Sequence, residues 1–467
     1  MREEYDSLGS VSVPDDVYWG AQTQRSLQYL SIGKDRMPIE LIHAYGSIKK
    51  AAALANCDLG LLPKEKMELI VQAAEEIVSG KLDRHFPLYV WMTGSGTQIN
   101  MNVNEVIANR AIEMVSGKLG SKDPIHPNDH VNMSQSTNDT FPTAMHVSCA
   151  LQIHRKLLPS LQHLRECIQE KVEEWKDIVK IGRTHLQDAV PLTLGQEFSG
   201  YEKMLEDNLK RVRFSLEDLY PLALGGTAVG TGINTHPDFA AAAIAYLAKE
   251  WQLPFTTAEN PFAIQGAHDA LVMLSGVLKT VACSLYKIAN DIRLISCGPR
   301  CGIHELELPS NEPGSSIMPG KVNPTQCEAL MMLAIQVMSH DSATTFGGAS
   351  GDLEMNVYKP LIIFNLLQAI RLLTDGCRNF ADYLIKGTKA NEKQIDLYVH
   401  HSLMLVTALS PIIGYDQASK AANHAYRHHL SLKDACVELK LLTAEEFDKH
   451  VNPREMIHPN IKNVSST

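Results

Sequence analysis

The most regular feature of the chain is a set of long stretches in which apolar positions recur at gaps of three and four. Between Leu151 and Val172, the residues Leu158, Leu161, Leu164, Ile168 and Val172 follow the spacing of one helix face. Comparable stretches predict helices from about Leu194 to Leu219, Ala267 to Cys297, Thr325 to Thr345 and Leu353 to Ile385. Helices of roughly 25 to 35 residues would each extend about 40–50 Å. In several of them the apolar residues are not confined to one stripe, as in Leu361-Ile362-Ile363-Phe364-Asn365-Leu366-Leu367. Faces of that kind predict packing against other subunits, hence an oligomer built on a shared helical bundle.

Before about residue 137 the pattern is shorter and more broken. Pro38 and Pro63 stand at predicted helix starts, a third helix is expected over Asn102 to Val115, and Ser10-Val11-Ser12-Val13 predicts a small strand. After about Thr388 a small helical segment follows, with Ser431 and Thr443 as N-caps and Thr443-Ala444-Glu445-Glu446 as a capping box. The resulting division is 1–137, 138–388 and 389–467, a mainly α chain with its long helices in the middle.

The length of 467 residues suits about three domains of ordinary size, and 45% hydrophobic with 21% charged residues is globular composition. A net charge of -10 with no basic face or tail argues against a general nucleic-acid binder. An anionic substrate must therefore be met by local donors. No stretch of about eighteen apolar residues is expected to span a membrane. The start, Met1-Arg2-Glu3-Glu4-Tyr5-Asp6, does not read as a secretory signal, so a cytoplasmic location is expected. The 9 cysteines are scattered, with only Cys297 and Cys301 close together, which predicts reduced thiols and neither a zinc nor an iron–sulfur site.

Four separated islands concentrate Gly, Ser, Thr, Asn and His. The first, Thr93-Gly94-Ser95-Gly96-Thr97, puts hydroxyls and free N–H groups before a helix, as binding a carboxylate requires. The second runs from His126 to Asp139, where Ser136, Thr137 and Asn138 can donate to a carboxylate and Asp139 can cap the next helix. The third, Gly182 to Gln196, holds Thr184-His185. A histidine titrates near neutrality and can shuttle a proton if a carboxylate fixes its tautomer, although most of the 19 histidines need only be structural. The fourth is Gly314-Ser315-Ser316-Ile317-Met318-Pro319-Gly320-Lys321-Val322-Asn323-Pro324, a Gly/Ser arc leading to a lysine, an asparagine and a helix start. That is the outline of an anion-handling loop.

The fourth island resembles the signature loop of the fumarase/aspartase superfamily, and Pro319-Gly320-Lys321-Val322-Asn323-Pro324-Thr325-Gln326-Cys327-Glu328 is similar to class II fumarase in particular. The resemblance covers essentially the whole chain. It implies a three-domain, mainly α fold whose central five-helix bundle joins three others in a twenty-helix homotetramer core, with active sites assembled from three chains. It implies hydration of fumarate to malate, reversible and by anti addition, through an enolate-like (aci-carboxylate) intermediate, with no cofactor and no metal. By this resemblance Ser315 is the base that takes the proton from carbon. Lys321 and Asn323 grip the adjacent carboxylate, Ser95, Thr97, Ser136, Thr137, Asn138 and Thr184 bind substrate, and Glu328 orients His185 on the water side. His126, Asn128 and Asp129 match a secondary anion site. Asp123, beside Lys122, stands where the family commonly has arginine.

Two other functions compete. Aspartate ammonia-lyase has a similar loop that usually reads Pro-Ala-Lys and carries glutamine at the position of His185. A non-catalytic helical oligomer would have been favoured by loss of Ser315, His185 or Lys321, all of which are present.

Overall fold

The computed structural model describes residues 1–459. Helix accounts for 62% of the fold. Among the described residues the strands form five two-stranded sheets, all small. The chain folds as two compact units, each discontinuous in sequence. The first comprises Met1–Ser160, Asn208–Cys283 and Leu333–Asp375; the second comprises Leu161–Asp207, Ser284–Met332 and the chain from Gly376 on.

The first unit is organised around the helix Ile39–Asp58, which opens after Pro38 as its sequence predicts and buries Leu41, Ile42, Tyr45, Ile48 and Ala52 completely or nearly so. Its small residues set how closely its neighbour packs: a Cβ on Gly46 would stand 3.0 Å from Ile77 and 3.2 Å from the Ala74 carbonyl of helix Lys64–Val78. Thr97–Met114 forms a helix that is polar yet buried, carrying Asn100, Asn102, Asn104 and Asn109 at no more than 4% exposure. Such burial is sustained because the amide N–H groups are paired, although Asn102 Oδ1 and Asn104 Oδ1 find no partner among the described residues. Asn102 donates to the His85 carbonyl at 3.1 Å and Asn109 to the Tyr18 carbonyl at 2.9 Å. The predicted strand is the segment Gly9–Val13, paired antiparallel with Arg2–Asp6.

In the second unit the hairpin Val179–Thr184/Gln187–Thr193 is buried at its base, at Lys180, Ile181, Pro191 and Thr193, and exposed toward its tip. On one face Ile181 joins a core with Leu405, Leu409, Ala421, Cys436 and Phe447. On the other, Lys180 is 1% exposed and binds Glu197 at 2.8 Å and Glu305 at 3.1 Å, while Arg183 binds the same fully buried Glu305 at 2.8 Å. A buried carboxylate held by two cations fixes the hairpin as breaking either pair would leave an uncompensated charge. Ser431 and Thr443 cap their helices, the latter in a capping box.

Two expectations are corrected. The helix predicted from Leu353 begins at Lys359, because the Asn356 side chain accepts from the Tyr358 amide at 2.8 Å and donates to the Gly347 carbonyl at 2.8 Å, holding the backbone in a turn. Finally, Asp269–Ile295 and Lys359–Gly387 have the length and mean hydropathy of a membrane span, which the expected absence of such a stretch missed. Their apolar windows are 50% and 61% buried within the protein, the condition of core helices.

Candidate functional site

The predicted site residues fall in both units. Ser95, Thr97, His126, Asn128, Asp129, Ser136, Thr137 and Asn138 lie in the first; Thr184, His185, Ser315, Lys321, Asn323 and Glu328 lie in the second.

In the first unit, Gly96 adopts φ +80° at the N-cap of helix Thr97–Met114, bringing Ser95 Oγ within 2.9 Å of Thr97 Oγ1. Glycine is needed twice in this turn. A Cβ on Gly94 would lie 1.3 Å from the Val357 carbonyl oxygen, and one on Gly96 would lie 2.0 Å from the Phe141 ring. The second island is a capping box in which Ser136 accepts from the Asn138 amide at 3.2 Å and Asp139 accepts from the Ser136 amide at 3.0 Å. Asn138 donates one amide hydrogen to the Ala228 carbonyl at 2.7 Å, which leaves its other hydrogen available to a ligand. Asp139 does more than cap. Its other carboxylate oxygen accepts from the Gly225 and Thr227 amides at 3.0 and 2.9 Å, tying the glycine-rich 225–232 segment to the island. Burial pushes its carboxyl up to about 6, against the pull of those amides and of Lys49.

At the secondary anion position, His126 Nδ1 accepts from the Asn128 and Asp129 amides at 3.1 Å each, so its Nε2 is the atom left for a ligand. Burial lowers the His126 pKa. Lys122 donates to the Tyr5 carbonyl at 2.9 Å, and Asn128 donates to Met101 Sδ at 3.7 Å.

In the second unit, His185 and Leu186 form the two-residue tip of the hairpin with φ of 57° and 59°. Both values are those of a type I′ turn, where Asn-Gly is the unstrained choice. A histidine is tolerated at positive φ better than most residues, at some cost relative to asparagine or glycine. Among the described residues His185 and Glu328 do not hydrogen-bond each other, and both are exposed.

The signature loop closes on itself. The Gly314 amide donates to the Lys321 carbonyl at 2.8 Å, Asn323 donates to the Gly314 carbonyl at 2.6 Å, and Lys321 Nζ donates to Asn323 Oδ1 at 2.5 Å. A Cβ on Gly314 would lie 2.4 Å from the Lys321 carbonyl oxygen, so the closure requires glycine there. Ser315 Oγ accepts from the amides of Ile317 and Met318 at 3.3 and 3.0 Å. Two N–H dipoles aimed at one hydroxyl oxygen stabilise negative charge on it. Lys321 lines two cavities of about 460 and 570 Å³, one shared with Ser315 and the other with Asn323, Arg293, Cys297 and His304. Among the described residues no three His, Cys, Asp or Glu side chains converge as a metal site.

The sequence signals missed the supports of these islands. Lys49 is fully buried beneath the first unit's islands, and Glu305 anchors the His185 hairpin. The one hint for Lys49 was a charge beside the small-residue run Ala51-Ala52-Ala53, where a buried helix face was to be expected.

The chain matches the family described as Lyase over residues 9–339 and the one described as Fumarase C C-terminus over 405–458. It is 59% identical over 456 residues to the class II fumarate hydratase of Thermosynechococcus vestitus, with 98% of each chain covered. It is 55% identical over 461 residues to the mitochondrial fumarate hydratase of Rattus norvegicus, covering 98% of this chain and 91% of that one. The crystal structure of class II fumarase from Schistosoma mansoni superposes with a TM-score of 0.96 at 45% identity, covering 98% of this chain and 100% of that one. The chain therefore belongs to the class II fumarate hydratase family of lyases.

Proposed function

We propose that the protein hydrates fumarate reversibly to malate by anti addition of water, through an enolate-like (aci-carboxylate) intermediate and without a metal. The observation that carries the mechanism is the pair of amide donors on Ser315 Oγ. A serine hydroxyl is a poor base in water, and it acts as one only where charge on its oxygen is stabilised and solvent is excluded.

In the direction of dehydration, Ser315 takes the proton from the carbon next to a carboxylate. The electron pair moves into that carboxylate, which then carries two negative charges shared by its oxygens. Lys321 and Asn323 meet that charge, the step in which most of the stabilisation is needed. The C–O bond on the neighbouring carbon then breaks, and the hydroxyl leaves as water with a proton that His185 delivers through a water held by His185 and Glu328. Ser95, Thr97, Ser136, Thr137, Asn138 and Thr184 bind the carboxylates, and His126, Asn128 and Asp129 form a secondary anion site. Proton and hydroxyl depart from opposite faces of the substrate, which gives the anti stereochemistry.

The protein is proposed to work as a cytoplasmic homotetramer with shared sites, no cofactor, and domains 1–137, 138–388 and 389–467. Supporting the oligomer, Phe214, Met332, Ile335 and Phe346 on the long helices are 67%, 66%, 56% and 76% exposed, more apolar surface than a solitary helix face carries without a partner. All nine cysteines are free, which suits a reducing compartment.

The test is to supply malate and follow the ultraviolet absorbance of the conjugated double bond, with and without a chelator. A rise that survives chelation is expected. Aspartate producing the rise in place of malate would move the activity to ammonia-lyase, and silence with both would leave a scaffold. Loss of activity on chelation would overturn metal independence alone.

A further inference from the structure

Lys49 is buried with 0% exposure and, among the described residues, touches no carboxylate. Its ammonium donates instead to three neutral amide oxygens: Asn100 Oδ1 at 2.8 Å, Asn132 Oδ1 at 3.0 Å and Gln135 Oε1 at 2.9 Å. A lysine has three donors and no acceptor, so the three bonds use its whole capacity. The acceptors come from two places. Asn100 lies in the first turn of the helix that begins at Thr97, directly behind the first island, and Gln135 directly precedes Ser136 of the second.

The rest of the network fixes these acceptors in turn. Asn132 Oδ1 also receives the amides of Asn100 and Asn104 at 3.1 Å each, and its own amide donates to the Gln135 carbonyl at 3.1 Å. Gln135 donates to the carbonyls of Val131 and Met133 at 3.1 and 2.9 Å. Each amide is thereby oriented with its oxygen toward the ammonium. An apolar residue at 49 would leave the inward-facing oxygens of Asn100 and Gln135 without a donor, while Asn132 Oδ1 would keep the Asn100 and Asn104 amides, and the two segments would lose their common point of attachment.

We propose that Lys49 is a positioning residue for the substrate, one that sets the Ser95–Thr97 turn and the Ser136–Asn138 turn in register so that their donors address one carboxylate. It rests on the dicarboxylate activity proposed above. Lys49 itself does not contact Ser95, Thr97, Ser136, Thr137 or Asn138 through any hydrogen bond, so it acts through Asn100 and Gln135. A group that sets binding donors without entering the proton transfers acts on binding of substrate and transition state alike, which changes KM and leaves kcat nearly constant.

The test is steady-state kinetics of Lys49→Met in both directions beside the wild-type protein, with the oligomer checked by sedimentation. The expected result is a KM raised about tenfold or more with kcat within about threefold. A merely structural role would instead lower the active fraction, which reduces apparent kcat at constant KM. If Lys49→Met does not fold, Gln135→Met removes one acceptor and is expected to raise KM about threefold at near-constant kcat. A KM within about twofold of wild type in whichever variant folds overturns the positioning role and leaves the proposed activity standing. Wild-type protein silent on malate and fumarate overturns both.

Discussion

The two halves of the candidate site are built in opposite ways. In the first unit, the Ser136–Asn138 turn rests on buried groups: Asp139 and Lys49, each at 0% exposure, together take or give six hydrogen bonds within 3.0 Å to the surrounding backbone and amides. In the second unit, the signature loop is bound chiefly to itself, with Ile317 83% and Met318 50% exposed. Few buried contacts mean a low free energy for local opening. The first set of groups is thus fixed before any ligand arrives, and the loop is free to rearrange, which suits the base proposed at Ser315, since it must be shielded from water only while it works.

Breaking the loop half should be felt in turnover and hardly in stability. Ser315→Ala is expected to lower kcat by about 10²–10⁴-fold, the range of a lost general base, while the thermal midpoint stays within about 2 °C. Near-normal turnover would reject the assigned base. Gly314→Ala puts a methyl against the Lys321 carbonyl 2.4 Å away. Since the loop is exposed, the expected outcome is a roughly tenfold loss of kcat with little change in unfolding.

Breaking the buttressed half should invert that pattern. Gly94→Ala places its methyl 1.3 Å from the Val357 carbonyl oxygen, where backbone would have to move. A loss of about 3 kcal/mol or more, read as a lowered denaturant midpoint, is expected. Asp139→Asn turns a donor toward one or more of the amides of Ser136, Gly225 and Thr227, for about 2–3 kcal/mol. Equal stability losses for the two glycine substitutions would remove the distinction between the halves.

The smallest effect sharpens the comparison through pH. Burial holds the Lys49 ammonium down at about 7 from its ordinary 10.5. Between those two values the unfolded chain keeps a proton on Lys49 that the native protein has lost, so this group makes stability rise with pH across that interval and adds no pH dependence below it. The slope is at most about 1.4 kcal/mol per pH unit. Lys49→Met should flatten it by that amount between about pH 7 and 9 in urea titrations. Identical slopes in the two proteins would place the Lys49 pKa outside the interval.

The helix starts at Pro38, Pro63, Ser431 and Thr443 were legible because capping is local chemistry, decided within about four residues. The islands stood out because glycines, hydroxyls and amides cluster in them, the residue types that binding a carboxylate requires. The start at Lys359 was not, since the apolar run after it continues a helical pattern that only the Asn356 bonds interrupt. Nor was Lys49, because a lysine reads the same whether it faces solvent or three amides 51 to 86 residues away in sequence.

By itself the sequence determined the helical class, the family and the residues able to carry the chemistry, all of which follow from periodicity and from short runs of functional groups. Only the tertiary structure decided which of those groups are held rigidly and which are left free. That depends on burial and on hydrogen bonds between distant segments, and both exist only once the chain has closed around them.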